Sequence, residues 1–110
     1  MTLPNVECTV VPKAKITDYL LCFTHRDGQG KAGFFTHFGF SAEAWEDLAQ
    51  ALVHHATENE VTQTEDSPFG TRYVIEGEMN AANGRVIAIR SVWFIETGDQ
   101  TPRFVTAYPL

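Results

Sequence analysis

Two residues suited to acid–base and phosphate chemistry flank a glycine-containing stretch early in the chain. His25 and Lys31 stand at either end of a segment that carries glycines at positions 28 and 30. A histidine can act as general acid or base near neutral pH, and a lysine can neutralise a phosphate. We therefore predict that both are catalytic residues. The alternative is a solvated loop in which Lys31 begins a helix.

Arg90 lies midway along the longest strand pattern in the sequence. A guanidinium in that position must be paired or must face an open cleft, because burial without a partner is costly. Its planar fork of donors matches a phosphate, which favours an anion-binding role. The alternative is a salt bridge to Glu76 or Glu78 across a hairpin. Arg72 and Arg103 lie on neighbouring predicted strands and join Arg90 on one face only if the register allows it.

The last predicted strand carries a further cation and two hydroxyls, at Arg103, Thr106 and Tyr108. Strand alternation predicts that Thr106 and Tyr108 share a face with Phe104. A pair of hydroxyls on an edge strand can orient a phosphate or donate to an oxyanion. The alternative is a half-buried strand face with satisfied hydroxyls.

The first half of the sequence has helical periodicity. An edge strand or extended arm is expected over residues 4–12, a helix over 13–23, and a loop over 24–31. A short aromatic helix should end with a glycine cap at Gly39. A longer helix, 41–58, should begin at the N-cap Ser41. The apolar stripe of that helix comprises Trp45, Leu48, Ala49, Leu52, Val53 and Ala56.

The second half alternates with a period of two. Strands are expected over 61–64, 71–78, 85–95 and 103–108, with a hairpin turn at Asn83-Gly84. Short connections imply that neighbouring strands pair in chain order. The sequence therefore predicts an α+β fold, with N-terminal helices packed on one face of a three- to four-stranded antiparallel meander.

Metal and cofactor sites are not expected. The remaining histidines, His37, His54 and His55, lie in or at the ends of helices and are predicted to be exposed or half-buried. Cys8 and Cys22 with His25 and His37 match no zinc-ligand spacing. The two glycines at 28 and 30 alone do not make a nucleotide-binding fingerprint.

The chain is short and acidic, with 110 residues, 44% apolar residues and a net charge of −6. We expect a single domain, 1–110. No apolar run is long enough to span a membrane, and no basic and apolar leader begins the sequence, so we predict a cytoplasmic protein. Residues 41–66 hold seven Asp and Glu and no Lys or Arg. That acidic segment is either a solvated face or, on helix 41–58, a surface that docks a basic protein partner.

Several motifs resemble a family of small, uncharacterised bacterial proteins common in cyanobacteria. The shared features are the run Lys15–Leu21, the loop His25–Ala32 with Phe34-Phe35, the Gly84-Arg85 turn, Val92-Trp93, and the ending Thr106-Ala107-Tyr108-Pro109. The layout of helices before an antiparallel meander is also similar to the barnase, EndoU, colicin and RelE group of metal-independent ribonucleases, many of them toxins.

The second resemblance implies RNA cleavage by attack of a 2′-hydroxyl on the adjacent phosphate. His25 would then be the base or acid, while Lys31, Arg90 and Arg103 would stabilise charge. Thr106 and Tyr108 would orient the phosphate. This acidic chain departs from such ribonucleases, which are often basic.

Two other hypotheses stay open at this point. One is a non-catalytic interaction module, similar to an immunity protein or antitoxin, that uses the acidic helix. The other is a small-ligand-binding domain that uses the same cleft. Convergence of His25, Lys31, Arg90 and Tyr108 would favour the enzyme, whereas Arg90 locked to Glu76 or Glu78 with His25 distant would favour the module.

Overall fold

Three helices precede a four-stranded sheet in this computed structural model, which describes residues 1–26 and 29–110 but not the side chain of Gln29. Helix α1 spans Lys13–Lys15 and continues as a wider π-helical turn over Ile16–Leu20. Helix α2 spans Gln29–His37 and α3 spans Trp45–Glu58. The strands are β1 (Val61–Ser67), β2 (Gly70–Asn80), β3 (Val86–Glu96) and β4 (Arg103–Pro109).

Of the two alternatives for residues 4–12, an edge strand or an extended arm, the edge strand is wrong. Asn5 has a left-handed backbone, with φ of 55°, and turns the chain into a single 3₁₀ turn at Val6–Cys8. Only Val10 makes a strand-like contact, an isolated parallel bridge to Arg103. Val10 therefore lies beside the start of β4, and the segment before it forms a 3₁₀ turn instead of a strand.

Helix boundaries differ from the prediction in three places. The π-helical turn that continues α1 ends at Leu20, before the expected 23, and α2 already begins at Gln29, inside the expected loop. Helix α3 begins at Trp45 rather than at Ser41, because Ser41 caps the turn before the helix: its Oγ accepts a hydrogen bond from the Ala44 amide at 3.3 Å. Of the expected loop, residues 27 and 28 lie outside the described part of the chain.

The glycine cap at Gly39 is confirmed. Its φ is 95°, and its amide donates to the Thr36 carbonyl while the Phe40 amide donates to the Phe35 carbonyl. This pair of bonds is the Schellman arrangement, which requires a left-handed residue and so favours glycine.

The sheet is an antiparallel meander, as predicted, with strand order β1-β2-β3-β4. Helix α3 packs on one face, where Leu48 and Leu52 join Ile75, Ile89 and Trp93 in the buried core. The residues that alternate with this core project to the opposite face, which we call the outer face. On the inner strands and β4 they are Arg72, Val74, Glu76, Arg90, Val92, Phe94, Arg103, Thr106 and Tyr108.

Candidate functional site

A three-residue row crosses the outer face at Glu76, Arg90 and Tyr108. Register places Glu76 of β2 and Tyr108 of β4 directly opposite Arg90 of β3. The Arg90 Nε donates to Glu76 Oε2 at 2.8 Å, and a second guanidinium nitrogen donates to the same oxygen. Another nitrogen donates to the Tyr108 hydroxyl at 3.3 Å. Arg90 therefore carries the cross-strand salt bridge that was one of its two predicted roles.

The charges of this row stabilise one another. Hydrogen bonding from Arg90 lowers the pKa of the Glu76 carboxyl below its ordinary value. The hydrogen bond with Tyr108, followed by that with Glu76, raises the pKa of Arg90 above its ordinary value. Glu76 and Arg90 therefore both stay charged near neutral pH, and the row keeps one negative and one positive charge side by side.

A second row brings further arginines to the same face. Arg72 of β2 and Arg103 of β4 both lie opposite Phe94 of β3. Because Phe94 and Arg90 are four residues apart on one strand, the two rows are about 13 Å apart. Arg103 lies 3.9 Å from Asp99 in the β3–β4 connection. The register thus gathers three arginines on the outer face, but Arg103 lies away from Tyr108.

A β-bulge at Val105 decides which residues of β4 face outward. Trp93 pairs with Phe104, whereas its neighbour Val92 pairs with Thr106, so Val105 has no partner. Phe104 consequently points to the core, packed edge-on against Trp93 at 5.4 Å between centroids. The predicted shared face of Phe104, Thr106 and Tyr108 is therefore wrong, because the extra residue reverses the alternation.

Tyr19 joins the helical layer to the β4 edge. Its hydroxyl lies 2.9 Å from the Thr106 Oγ1, within hydrogen-bond distance. The α1 residue Lys15 donates from Nζ to the Val105 carbonyl at 3.3 Å, at the bulge. This hydrogen bond links α1 to the bulged position of β4.

Cationic and titratable groups surround the Tyr19 ring. The Nζ atoms of Lys15 and Lys31 lie 5.5 and 5.2 Å from the ring centroid. The His25 ring meets Tyr19 edge-on at 4.9 Å between centroids. Cations at such distances are attracted to the face of a tyrosine ring. We call these four residues with Thr106 the Tyr19 cluster.

The structure brings most of the sequence-predicted residues into one continuous surface. His25, Lys31 and Thr106 meet at Tyr19, and Tyr108 lies two residues from Thr106 on the same face, about 7 Å along the strand. Arg90 is bonded to Tyr108. Arg103 also lies on the outer face but outside the Tyr19 cluster.

Sequence reasoning missed Tyr19 and Lys15. The periodicity of residues 13–23 assigned Tyr19 to the apolar stripe of the helix. One available signal was the spacing of four residues between Lys15 and Tyr19, which places a cation beside a ring on a helix surface.

The prediction that His55 is exposed or half-buried is wrong. Its side chain has no exposed surface. Nε2 lies 3.2 Å from the Gly77 carbonyl, and Nδ1 lies 3.0 Å from the Ser91 hydroxyl. Because a carbonyl only accepts, Nε2 carries the proton and Nδ1 accepts from Ser91. Ser91 in turn accepts from the Trp93 indole at 2.9 Å.

The His55 network is structural. Burial lowers the pKa of His55 below its ordinary value. The neutral ring bonds α3 to β2 and β3, and every polar atom in the network has a partner. His37 and His54 are exposed, as predicted.

Residues 1–26 and 29–110 contain no group of three His, Cys, Asp or Glu side chains placed to hold a metal ion. None of the helices in these ranges is long and apolar enough to cross a bilayer.

Fold and sequence together place the protein among small α+β domains with helices on one face of an antiparallel meander. Residues 2–110 match the model of a family described as a domain of unknown function, DUF6883, and the chain belongs to that family. No curated protein matches the sequence.

A solved structure has a similar fold. It is a contact-dependent growth inhibition toxin–immunity protein complex from Klebsiella pneumoniae 342. The similarity covers 92% of this chain and 99% of the matched chain, with a TM-score of 0.72 and 17% identity. At that identity the likeness shows a shared fold, and a toxin or immunity role belongs to the proposals below.

Proposed function

We propose that this protein is a metal-independent endoribonuclease whose site is the Tyr19 cluster together with Tyr108. The observation that carries the proposal is the placement of His25, Lys15 and Lys31 around a tyrosine whose hydroxyl meets Thr106. With Tyr108, the site has an imidazole, two ammonium groups and three hydroxyls, which are the group types that a phosphoryl transfer needs.

The proposed reaction is an intramolecular transesterification of RNA. The 2′-oxygen attacks the adjacent phosphorus while a base takes the 2′ proton, the bond from phosphorus to the 5′-oxygen breaks, and an acid protonates the leaving oxygen. A 2′,3′-cyclic phosphate and a 5′-hydroxyl result. His25 acts as base or acid, since imidazole exchanges protons near neutral pH.

The remaining residues position and neutralise the phosphate. Lys31 and Lys15 stabilise the negative charge that accumulates on the phosphoryl oxygens, and Thr106 and Tyr108 donate hydroxyl hydrogen bonds. Arg90 already bonds Glu76, so its role here is to position Tyr108. Arg103, about four strand positions away, contacts a neighbouring phosphate rather than the reacting one.

Charge distribution makes an RNA ligand compatible with an acidic chain. The acidic excess is confined to residues 41–66, whereas residues 1–40 contain Lys13, Lys15, Arg26 and Lys31 against three acidic residues. RNA affinity depends on the local charge near the phosphates more than on the net charge.

The test is cleavage of a fluorescently labelled single-stranded RNA with EDTA present. We expect the wild type to release products with 2′,3′-cyclic phosphate ends and His25→Ala to lose at least about 100-fold in rate. His37→Ala, which alters an exposed histidine on α2, is the matched control and should retain full rate. Absence of cleavage by micromolar wild-type protein, or equal rates for wild type and His25→Ala, would refute the proposal.

A second candidate is a non-catalytic interaction protein of the immunity or antitoxin type. The bonding of Arg90 to both Glu76 and Tyr108 favours it, because an arginine neutralised in this way is typical of a structural ion pair. An intact RNA after incubation with the wild type would leave this candidate as the better hypothesis.

A further inference from the structure

We propose that a groove along α3 binds a basic, amphipathic helix of a protein partner. The groove has a volume of about 500 Å³ and runs between α3 and the N-terminal segment. Three residues spaced four apart on α3, Trp45, Ala49 and Val53, line it together with Val11. All four are half-buried.

The apolar stripe of α3 is wider than the core requires. Leu48, Leu52 and Ala56 are buried against the sheet together with His55, while Trp45 and Val53 are only partly buried against the same core. Trp45, Ala49 and Val53 lie beside the buried residues and keep partial access to solvent. A line of apolar residues at helical spacing, open on one side, suits the apolar face of a second helix.

The acidic residues near the groove favour a basic occupant. Glu46 lines the groove, and Glu43, Asp47 and Glu58 are exposed on or just before α3. The nearest basic group on the helix, His54, already lies 3.8 Å from Glu58. Since residues 41–66 contain no Lys or Arg, an occupant with Lys or Arg on the side of its apolar anchors that faces α3 gains favourable contacts along that edge of the groove.

The same charges disfavour a second copy of this chain. Two copies meeting through α3 would place acidic helix against acidic helix, and like charges at close range are repulsive. A basic partner protein is therefore the occupant to which the proposal commits.

The groove is independent of the proposed ribonuclease site. Helix α3 covers the face of the sheet opposite Arg90 and Tyr108, so a partner seated on α3 leaves the outer face open. The inference holds whether or not the protein cleaves RNA, and its failure would not affect the cleavage test.

The experiment uses the full chain and a synthetic 18-residue helical peptide with leucines at positions i, i+3, i+4 and i+7 and flanking lysines. Binding can be followed by tryptophan fluorescence, because Trp93 is fully buried and Trp45 is half-buried in the groove. We expect a saturable change that weakens with salt. Amide shifts in ¹H–¹⁵N spectra should map to Ala49, Val53 and Val11.

Two variants and one control peptide sharpen the test. Glu46→Lys should weaken binding by about fivefold to tenfold, from lost attraction and new repulsion at the rim. Glu65→Lys makes the same charge change on β1, outside the groove, and should bind nearly as the wild type does. A peptide with glutamate in place of each lysine should not bind.

Three results would overturn the proposal. They are equal binding of the lysine and glutamate peptides, amide shifts that map away from α3, and no binding at millimolar peptide. Concentration-dependent dimerisation that Glu46→Lys strengthens would instead assign the groove to a second copy.

Discussion

The Tyr19 hydroxyl lies 2.9 Å from Thr106 Oγ1, across a separation of 87 residues in the chain. This contact fastens the first helix to the edge strand and sets the ring among His25, Lys15 and Lys31. It connects the helical half of the protein to the strand half at the point where the chemistry is proposed.

Removal of that hydroxyl is the most direct test of the contact. Tyr19→Phe keeps the ring and its cation contacts but loses the bond to Thr106. We expect a loss of about 0.5–1.5 kcal/mol in the free energy of unfolding, measured by urea denaturation. If the cluster cleaves RNA, the rate should also fall by about tenfold or more, because Thr106 is no longer held.

Tyr73→Phe is the matched control, since Tyr73 packs against the core and removing its hydroxyl leaves Thr106 untouched. Its cleavage rate should be that of the wild type. Equal losses for Tyr19→Phe and Tyr73→Phe would show that the Tyr19 hydroxyl has no specific role.

The ion pair of Arg90 with Glu76 should be measurable as a coupling. In a double-mutant cycle of Glu76→Gln and Arg90→Met, the double variant should be more stable than the sum of the single losses predicts, because each single change leaves one charge without its partner. The effect should be small, since both side chains retain solvent access. Strict additivity would contradict the pairing.

The ion pair of Arg90 with Glu76 should also make the free energy of unfolding depend on pH in the acid range. The folded pKa of Glu76 is lowered, so its contribution to stability is complete above the unfolded value of about 4.5 and is lost as the pH falls further. In Glu76→Gln, the decline in unfolding free energy below pH 4.5 should be shallower than in the wild type.

His55 should produce a separate pH dependence nearer neutrality. Its folded pKa is lowered by burial, so the unfolded state binds the proton first and stability rises with pH. The contribution is complete above about pH 6.5, the ordinary value, and declines as the pH falls toward the folded pKa. Urea denaturation at pH 7.5 and 5.5 should show a lower free energy of unfolding at pH 5.5.

The histidine responsible can be identified by substitution and by spectroscopy. His55→Gln should reduce the difference between the two pH values, whereas His54→Gln, at an exposed position, should leave it nearly unchanged. In the wild type, NMR titration should give His55 a midpoint below 6.5. A midpoint at or above 6.5 would contradict the buried neutral ring.

Gly77 is required by a close approach rather than by backbone conformation. A Cβ at this position would lie 2.0 Å from the Asn59 side-chain oxygen. The Asn59 amide donates to the carbonyls of His55 and Glu78, so Gly77→Ala should displace it and cost about 1–3 kcal/mol in the free energy of unfolding.

Gly33→Ala is the control for Gly77→Ala. Apart from the local backbone of α2, no atom lies within 4 Å of the added Cβ at Gly33, and alanine favours the helix by about 0.5–1 kcal/mol. In Gly77→Ala/Asn59→Ala, part of the loss should be recovered, because the obstructing side chain is absent. Full additivity of the two losses would argue against a steric cause.

Local patterns predicted most of the secondary structure, and the errors have identifiable causes. Periodicity identified α3, and strand alternation with turn residues identified the meander and its order. The predicted start of α3 at Ser41 was wrong, because the Ser41 hydroxyl caps a turn that precedes the helix. The face of Phe104 was wrong because one extra residue, Val105, reverses alternation without any marker in composition.

The candidate site was only partly accessible from sequence. His25, Lys31, Thr106 and Tyr108 stood out by residue type and spacing. Tyr19 did not, because an amphipathic helix residue looks the same whether its hydroxyl meets water or a strand 87 positions later.

By itself, the sequence determined the fold class, the confinement of acidic charge to residues 41–66, and the turns at Gly39 and Gly84. Gly84 has a φ of 86° and lies in the connection between β2 and β3. These features follow from local interactions between residues a few positions apart. Only the tertiary structure decided the register that sets Glu76 and Tyr108 against Arg90, the burial of His55, and the gathering of cations around Tyr19. Each of these depends on packing between segments that are far apart in the chain. The free energy of such packing cannot be read from the residue pattern of a short stretch of sequence.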